Sequence, residues 1–261
     1  MKDYLTPHLR ELPYFRALLR AVEARFYEDI SLPGPVLDLG CGDGHFASLT
    51  FDKPIYMGLD PWWGPIQEAV GYGSYQHLVC AAGDQMPYPD GFFASGISNS
   101  VLEHIPDLDP VLAEVSRVLK PGAPFIFCVP NHRFLETLSI GRWLDKIGFS
   151  GLANNYRSFF NRISRHYNCD SHPVWEKRLA VQGFVIEEWW DYFTPSALHT
   201  LEWGHYFGLP SWFSKALFDR WILSPTTWNL ALTERLVRPH YDSDPRNPQG
   251  VYSFYKTRLL G

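Results

Sequence analysis

Cysteine is scarce in this chain: Cys41, Cys80, Cys128 and Cys169 are the four among 261 residues, and they lie far apart. That count and spacing exclude a disulfide framework and point to reduced thiols, hence to a cytoplasmic protein. Long apolar runs are missing as well. No stretch approaches the roughly 20 residues that span a bilayer. Lys2, Asp3, Arg10, Glu11, Arg16 and Arg20 break up the N-terminus where a signal peptide needs an apolar core. Basic charge is in deficit, with 23 Lys and Arg against 28 Asp and Glu, so no nucleic-acid partner is expected. Internal repeats and low-complexity linkers are absent too. What the chain does have is the 46% hydrophobic composition of a globular protein with a real core, and 16% aromatic residues including ten tryptophans.

Periodicity divides the chain. Residues 13–28 put Phe15, Leu18, Leu19, Val22 and Phe26 on one helical face, which predicts a helical cap over residues 1–32. Apolar runs at 36–39, 55–59, 76–80, 92–97 and 124–129 then read as strands, with a helix over 108–119. Strands alternating with helices predict an α/β domain over 33–261, its parallel sheet covered on both faces. After Pro130 the rhythm breaks into two inserts, at about 131–172 and 194–248. Between them lie a helix at 173–182 and a strand at 184–190, and 251–258 alternates like a final strand.

The first strand runs into Gly40-Cys41-Gly42-Asp43-Gly44, three glycines at alternate positions, with Asp38 two residues ahead. Such a turn lets backbone approach a ligand at the carboxyl end of a strand, where open α/β sheets bind. A lone Gly-x-Gly is as readily an ordinary strand-to-helix turn. The dinucleotide fingerprint Gly-x-Gly-x-x-Gly fails here, because His45 stands where its last glycine belongs. Asp60, 18 residues after Gly42, lies near the roughly 20-residue offset of a ribose-binding acid. By itself Asp60-Pro61 reads as a turn; after this glycine loop, ribose binding is favoured.

These residues resemble motif I of the class I S-adenosylmethionine methyltransferases. Gly83-Asp84, the segment 87–93, Ser98–Ile105 and Glu114–Gly122 look like later landmarks of the same family, in its small-molecule subgroup. The resemblance implies a Rossmann-like seven-stranded mixed sheet in the order 3-2-1-4-5-7-6, with the last strand antiparallel and the helical inserts forming a lid. It implies S-adenosylmethionine as cofactor and S-adenosylhomocysteine as product. Amides of the turn at Gly40, Cys41, Gly42 and Gly44 would meet the methionine carboxylate, and Asp38 its ammonium. Asp60 and Pro61 would hold the ribose, Asp84, Gln85 and Met86 the adenine, and Asn99 completes the cofactor set. Trp62 and Trp63 either flank the nucleoside or pack in the core.

Methyl transfer needs alignment and, for a hydroxyl or carbon acid, a base, for which His104 and His132 are the candidates. His104 in Leu-Glu-His-Ile-Pro also reads as a loop-orienting residue. His166, Cys169 and His172 recur at intervals of three, but no fourth ligand accompanies them and no metal is expected. The acceptor is read from the inserts. Residues 131–178 carry eight Lys or Arg against four Asp or Glu, with Arg157, Arg162 and Arg165 among aromatics, either a solvated basic face or a site for an anionic group. Six of the ten tryptophans, Trp189, Trp190, Trp203, Trp212, Trp221 and Trp228, crowd residues 189–228. There Trp212, Phe213, Ala216, Leu217, Trp221 and Leu223 alternate with Ser214, Lys215, Asp219 and Arg220. Core packing, a lid over an apolar substrate and a peripheral membrane contact stay open. The expected function is methylation of a small hydrophobic or aromatic acceptor, lipid-linked or anionic acceptors included. A non-catalytic subunit binding a partner protein and an enzyme acting on a protein are the alternatives. The Asn/Asp-Pro-Pro-Tyr/Phe signature of nucleic-acid amino methylation is absent.

Overall fold

The computed structural model describes residues 2–218 and 220–261, and leaves the side chains of residues 209–212 aside. Asp219 and the Trp212 side chain therefore lie outside the described residues. The chain divides into two compact units. One comprises Asp29–His132, Asn161–Trp190 and Tyr252–Gly261; the other comprises the segment ending at Glu28, Arg133–Phe160 and Asp191–Val251.

The first unit is built on a seven-stranded sheet: β1 (Val36–Leu39), β2 (Ile55–Asp60), β3 (Tyr75–Cys80), β4 (Ser95–Asn99), β5 (Pro124–Pro130), β6 (Phe184–Tyr192) and β7 (Tyr252–Leu259). Their order is β3-β2-β1-β4-β5-β7-β6, as expected from the resemblance. The first five strands run parallel, with Asp38 paired to both Gly58 and Ile97, and β7 runs antiparallel to β5. The strands β1, β2, β4 and β5 are buried because helices cover the sheet, whereas β3, at its edge, is partly exposed. Leu37, Leu59, Val115, Phe125, Phe127 and Trp175 meet in one core cluster. Phe127 of β5 stacks on Tyr255 of β7 at 4.9 Å between ring centres.

The fourth strand starts three residues later than its apolar run predicts. Phe93 leaves the ladder, donating its amide to Val118 and accepting from Lys120, and so seals the end of helix Asp109–Val118. Strand periodicity and burial coincide there, so the sequence alone does not separate them.

The second unit is helical. Its helices are Leu5–Glu11, Tyr14–Phe26, Arg133–Thr137, Ser139–Lys146, Pro195–Phe207, Leu209–Phe218 and Thr227–Asp242, with the start of Ser150–Ser164. Its tryptophans are mostly not core. Trp228 and Leu232 stay 78% and 79% exposed, one turn apart. Among the described residues, no helix is long and apolar enough to cross a membrane.

What the helical unit buries instead is a carboxylate. Glu202 is fully enclosed and accepts from the amides of Ser139 and Ile140, at 2.6 and 3.2 Å, and from the Tyr156 hydroxyl at 2.6 Å. It thus supplies the cap that helix Ser139–Lys146 lacks locally, where Leu138 offers no oxygen. Burial, followed by the bond to Glu202, raises the Tyr156 hydroxyl above its ordinary pKa, so it stays a donor. Glu202→Ala strands three donors. We expect a loss of about 3 kcal/mol and a fall in Tm of roughly 6–12 °C, measured by thermal unfolding; an unchanged Tm would remove the capping role.

Candidate functional site

Gly40, Gly42 and Gly44 all adopt left-handed backbone, with φ of 78°, 55° and 78°, which only glycine takes without strain. Their surroundings differ. A Cβ on Gly40 would stand 2.3 Å from Val101 Cγ1, and one on Gly44 3.1 Å from Ala69 and Ser74. A Cβ on Gly42 meets nothing within 4 Å. Two of the glycines therefore fit protein against protein, and only Gly42 borders open space. The turn's own amides are engaged: Gly40 and Cys41 donate to the Leu59 carbonyl, Gly44 to Cys41, and Gly42 to Asp60 Oδ2 at 3.1 Å. In this arrangement the turn forms a shaped floor. Its donors face the protein.

Asp60 closes that floor from β2. Its Oδ1 accepts the Trp62 amide at 2.9 Å while Oδ2 holds Gly42. Burial raises its carboxyl pKa against the two amide bonds, which favour the charged form. Asp38, in the neighbouring strand, accepts from the Tyr75 hydroxyl at 2.6 Å. Tyr75 belongs to β3 and must cross β2 to get there. It passes over Gly58, where a Cβ would lie 2.9 Å from its ring. Burial first, then the Asp38 charge, pushes the Tyr75 hydroxyl well above its usual pKa, which keeps its proton on the bond. Burial likewise holds Cys41 as a neutral thiol. Tyr75 is missed by motif reasoning; a glycine inside a strand is the signal that marks such a close approach.

The loop after β3 brings the third expected acid alongside. Ala81 donates to the Asp60 carbonyl at 3.1 Å, and Asp84 and Gln85 stand exposed a few residues later. Met86 is buried, and its amide donates to Glu114 Oε2 at 2.8 Å. Arg117 grips the same stretch: it bonds both Glu114 oxygens and the carbonyls of Met86 and Tyr88, at 3.0 and 2.7 Å. Glu114 and Arg117 therefore clamp the loop that carries Asp84. Their i, i+3 spacing on a helix was the readable signal. Trp62 and Trp63, following Pro61, are 70% and 62% exposed, which removes the core-packing alternative for both. Asn99 is buried at the end of β4 and accepts from the Cys128 thiol. His104 and His132 are both exposed; His104 Nδ1 bonds the Arg165 carbonyl at 3.0 Å.

A methyltransferase-domain model matches residues 37–127, which span the glycine turn, all three acids and the clamp. Over residues 37–127 the chain is therefore similar to a methyltransferase domain. An uncharacterized methyltransferase of Mycolicibacterium gilvum is 30% identical over half of each chain. A malonyl-[acyl-carrier protein] O-methyltransferase of a Methylovorus species is 29% identical over 51% of this chain and 57% of its own. The chain thus spans about half the length of these curated relatives. Geranyl diphosphate C-methyltransferase from Streptomyces coelicolor shares the fold, with a TM-score of 0.56 at 15% identity, over 95% of this chain and 81% of its own. The residues present suit S-adenosylmethionine, the cofactor that the sequence resemblance implies: a floor open at Gly42, a carboxylate beside it, and an acid on the adjoining loop.

Arg117→Ala frees the Met86–Asp90 loop without touching the glycine turn. Affinity for S-adenosylhomocysteine should fall about tenfold, the worth of one or two charged hydrogen bonds, with faster proteolysis at the loop. Calorimetry with limited proteolysis checks both, and an unaltered affinity would dismiss the clamp as a cofactor-site element.

Proposed function

We propose that this protein transfers a methyl group from S-adenosylmethionine to an oxygen, nitrogen or carbon of a small, hydrophobic or aromatic acceptor. The observation that carries the reading is the junction of Asp60 with the glycine turn, to which the Asp84 loop is hydrogen-bonded. In this reading Asp60 accepts the ribose hydroxyls with the lone pairs left by Gly42 and Trp62, and Pro61 turns the chain away. Asp38, fixed by Tyr75, faces the methionine ammonium. Asp84 and Gln85 receive the adenine edge, with Met86 behind them and the exposed Trp62 and Trp63 as apolar walls. When bound, the cofactor supplies an electrophilic methyl and leaves as S-adenosylhomocysteine, so the protein's task is alignment of the acceptor. No side-chain nucleophile is needed.

The acceptor's character rests on the helical inserts. They expose Trp143, Phe149, Phe207, Phe213 and Leu217, residues that a purely structural insert tends to bury. An apolar or aromatic acceptor suits such exposed residues, and the basic excess of residues 131–178 suits an anionic group on it.

Calorimetric titration with S-adenosylmethionine and S-adenosylhomocysteine tests the reading. Micromolar binding is expected, weakened about 10- to 100-fold in Asp60→Ala by loss of a charge-assisted acceptor; absence of binding below millimolar would sink it. A pH series adds a second check. The Asp60 carboxyl holds its proton more tightly than a free aspartate, and only the ionised form accepts two hydroxyls. Affinity should be flat near neutrality and fall on acidification at a pH above the ordinary aspartate range. In Asp60→Asn that drop should vanish.

A further inference from the structure

Glu103, His104 and His166 bring one potential ligand atom each to within 4.8 Å of one another. Two of them end the short turn Leu102–His104, just past Val101, the residue packed against Gly40. The third comes from 62 residues later in the chain. The two segments are pinned together by backbone: Tyr167 and Asn168 donate their amides to the Glu103 carbonyl, at 2.7 and 3.3 Å. The Asn168 side chain bonds the carbonyls of Leu102 and Ile105, and Arg178 holds its oxygen. Arg165 takes a left-handed φ of 56°, and its carbonyl bonds His104 Nδ1 at 3.0 Å.

That last bond decides the chemistry of His104. A carbonyl only accepts, so Nδ1 carries a proton, and in the neutral ring Nε2 carries the lone pair that a metal needs. A carbonyl on the far nitrogen is also the usual support of a metal-binding imidazole. Nε2 lies 3.8 Å from Glu103 Oε1, too far for a hydrogen bond. A positive charge satisfies both groups, whether a proton on Nε2 or a metal ion held between the imidazole and the carboxylate. Ligands on a tetrahedral zinc, with bonds of about 2.0–2.1 Å, stand about 3.4 Å apart, so a small side-chain rotation closes this set. Glu103 and His166 are 1% and 9% exposed, while His104 reaches the surface. The ligands are thus two enclosed groups and one at the entrance.

We propose that Glu103, His104 and His166 bind one divalent transition-metal ion of the zinc class through two nitrogens and a carboxylate. Three protein ligands leave a fourth position for water or an acceptor oxygen. This set differs from the run His166, Cys169, His172, from which no metal site is expected: His172 is stacked on Trp189 at 3.9 Å. It also assigns His104 to ligation in place of a general-base role. The proposal does not rest on the proposed function, since its test reads metal and not methyl transfer.

The test strips the full chain with a chelator and titrates it with Zn2+ against a chromophoric competitor, then with Co2+. Wild type should take up about one zinc, and the cobalt form should show visible d–d bands of nitrogen and oxygen ligation. Glu103→Gln, His104→Ala and His166→Ala should each weaken zinc by at least about 100-fold, whereas His77→Ala, on exposed β3, should not. Uptake that is unchanged in Glu103→Gln and His104→Ala overturns the proposal. So does a wild-type protein without cobalt bands, a result that stands even where a variant fails to fold.

Discussion

The site depends on one carboxylate accepting backbone amides from two directions. Asp60 holds Gly42 with one oxygen and Trp62 with the other, and so fixes the glycine turn after β1 to the exit of β2. Its main-chain carbonyl takes Ala81 from the loop after β3. Three consecutive strand ends thereby meet at one residue. Fixing them together offsets part of the entropy cost of ordering three connecting loops before any ligand arrives. The buried, partly desolvated setting strengthens each of these bonds, at the cost of a raised carboxyl pKa.

Around this junction the protein uses absent side chains as deliberately as present ones. Gly40 admits Val101, Gly44 admits Ala69 and Ser74, and Gly58 admits the Tyr75 ring on its way to Asp38. Within the turn only Gly42 borders open space. Gly40, Gly44 and Gly58 serve the packing that holds the floor in place. In the proposed methyl transfer such rigidity serves function, because an in-line transfer tolerates little displacement of either partner.

Two further networks show polar groups placed where local sequence cannot satisfy a helix or a loop. Glu202 caps a helix 63 residues upstream, and Glu114 with Arg117 clamps a loop 27 to 31 residues upstream. Each serves backbone groups that would otherwise be stranded on burial. The Glu103–His104–His166 cluster follows the same plan, with distant segments sewn together through Asn168.

By itself the sequence determined what depends on near neighbours. The apolar run of β1, the left-handed glycines after it and the acid 18 residues on are local or periodic features, and each has a small set of physical solutions. The strand order followed from resemblance, and the structure has it. Tertiary structure decided everything that turns on which distant residues meet. Tyr75 reaches Asp38 only because β2 lies between them with a glycine at the crossing. The Met86 amide goes to Glu114 because helix Asp109–Val118 packs under that loop. His166 faces Glu103 rather than Cys169 and His172, because spacing of three in a loop fixes no common face whereas hydrogen bonds across 60 residues do. Contacts between distant residues depend on the whole packed chain, and no short window of sequence encodes them.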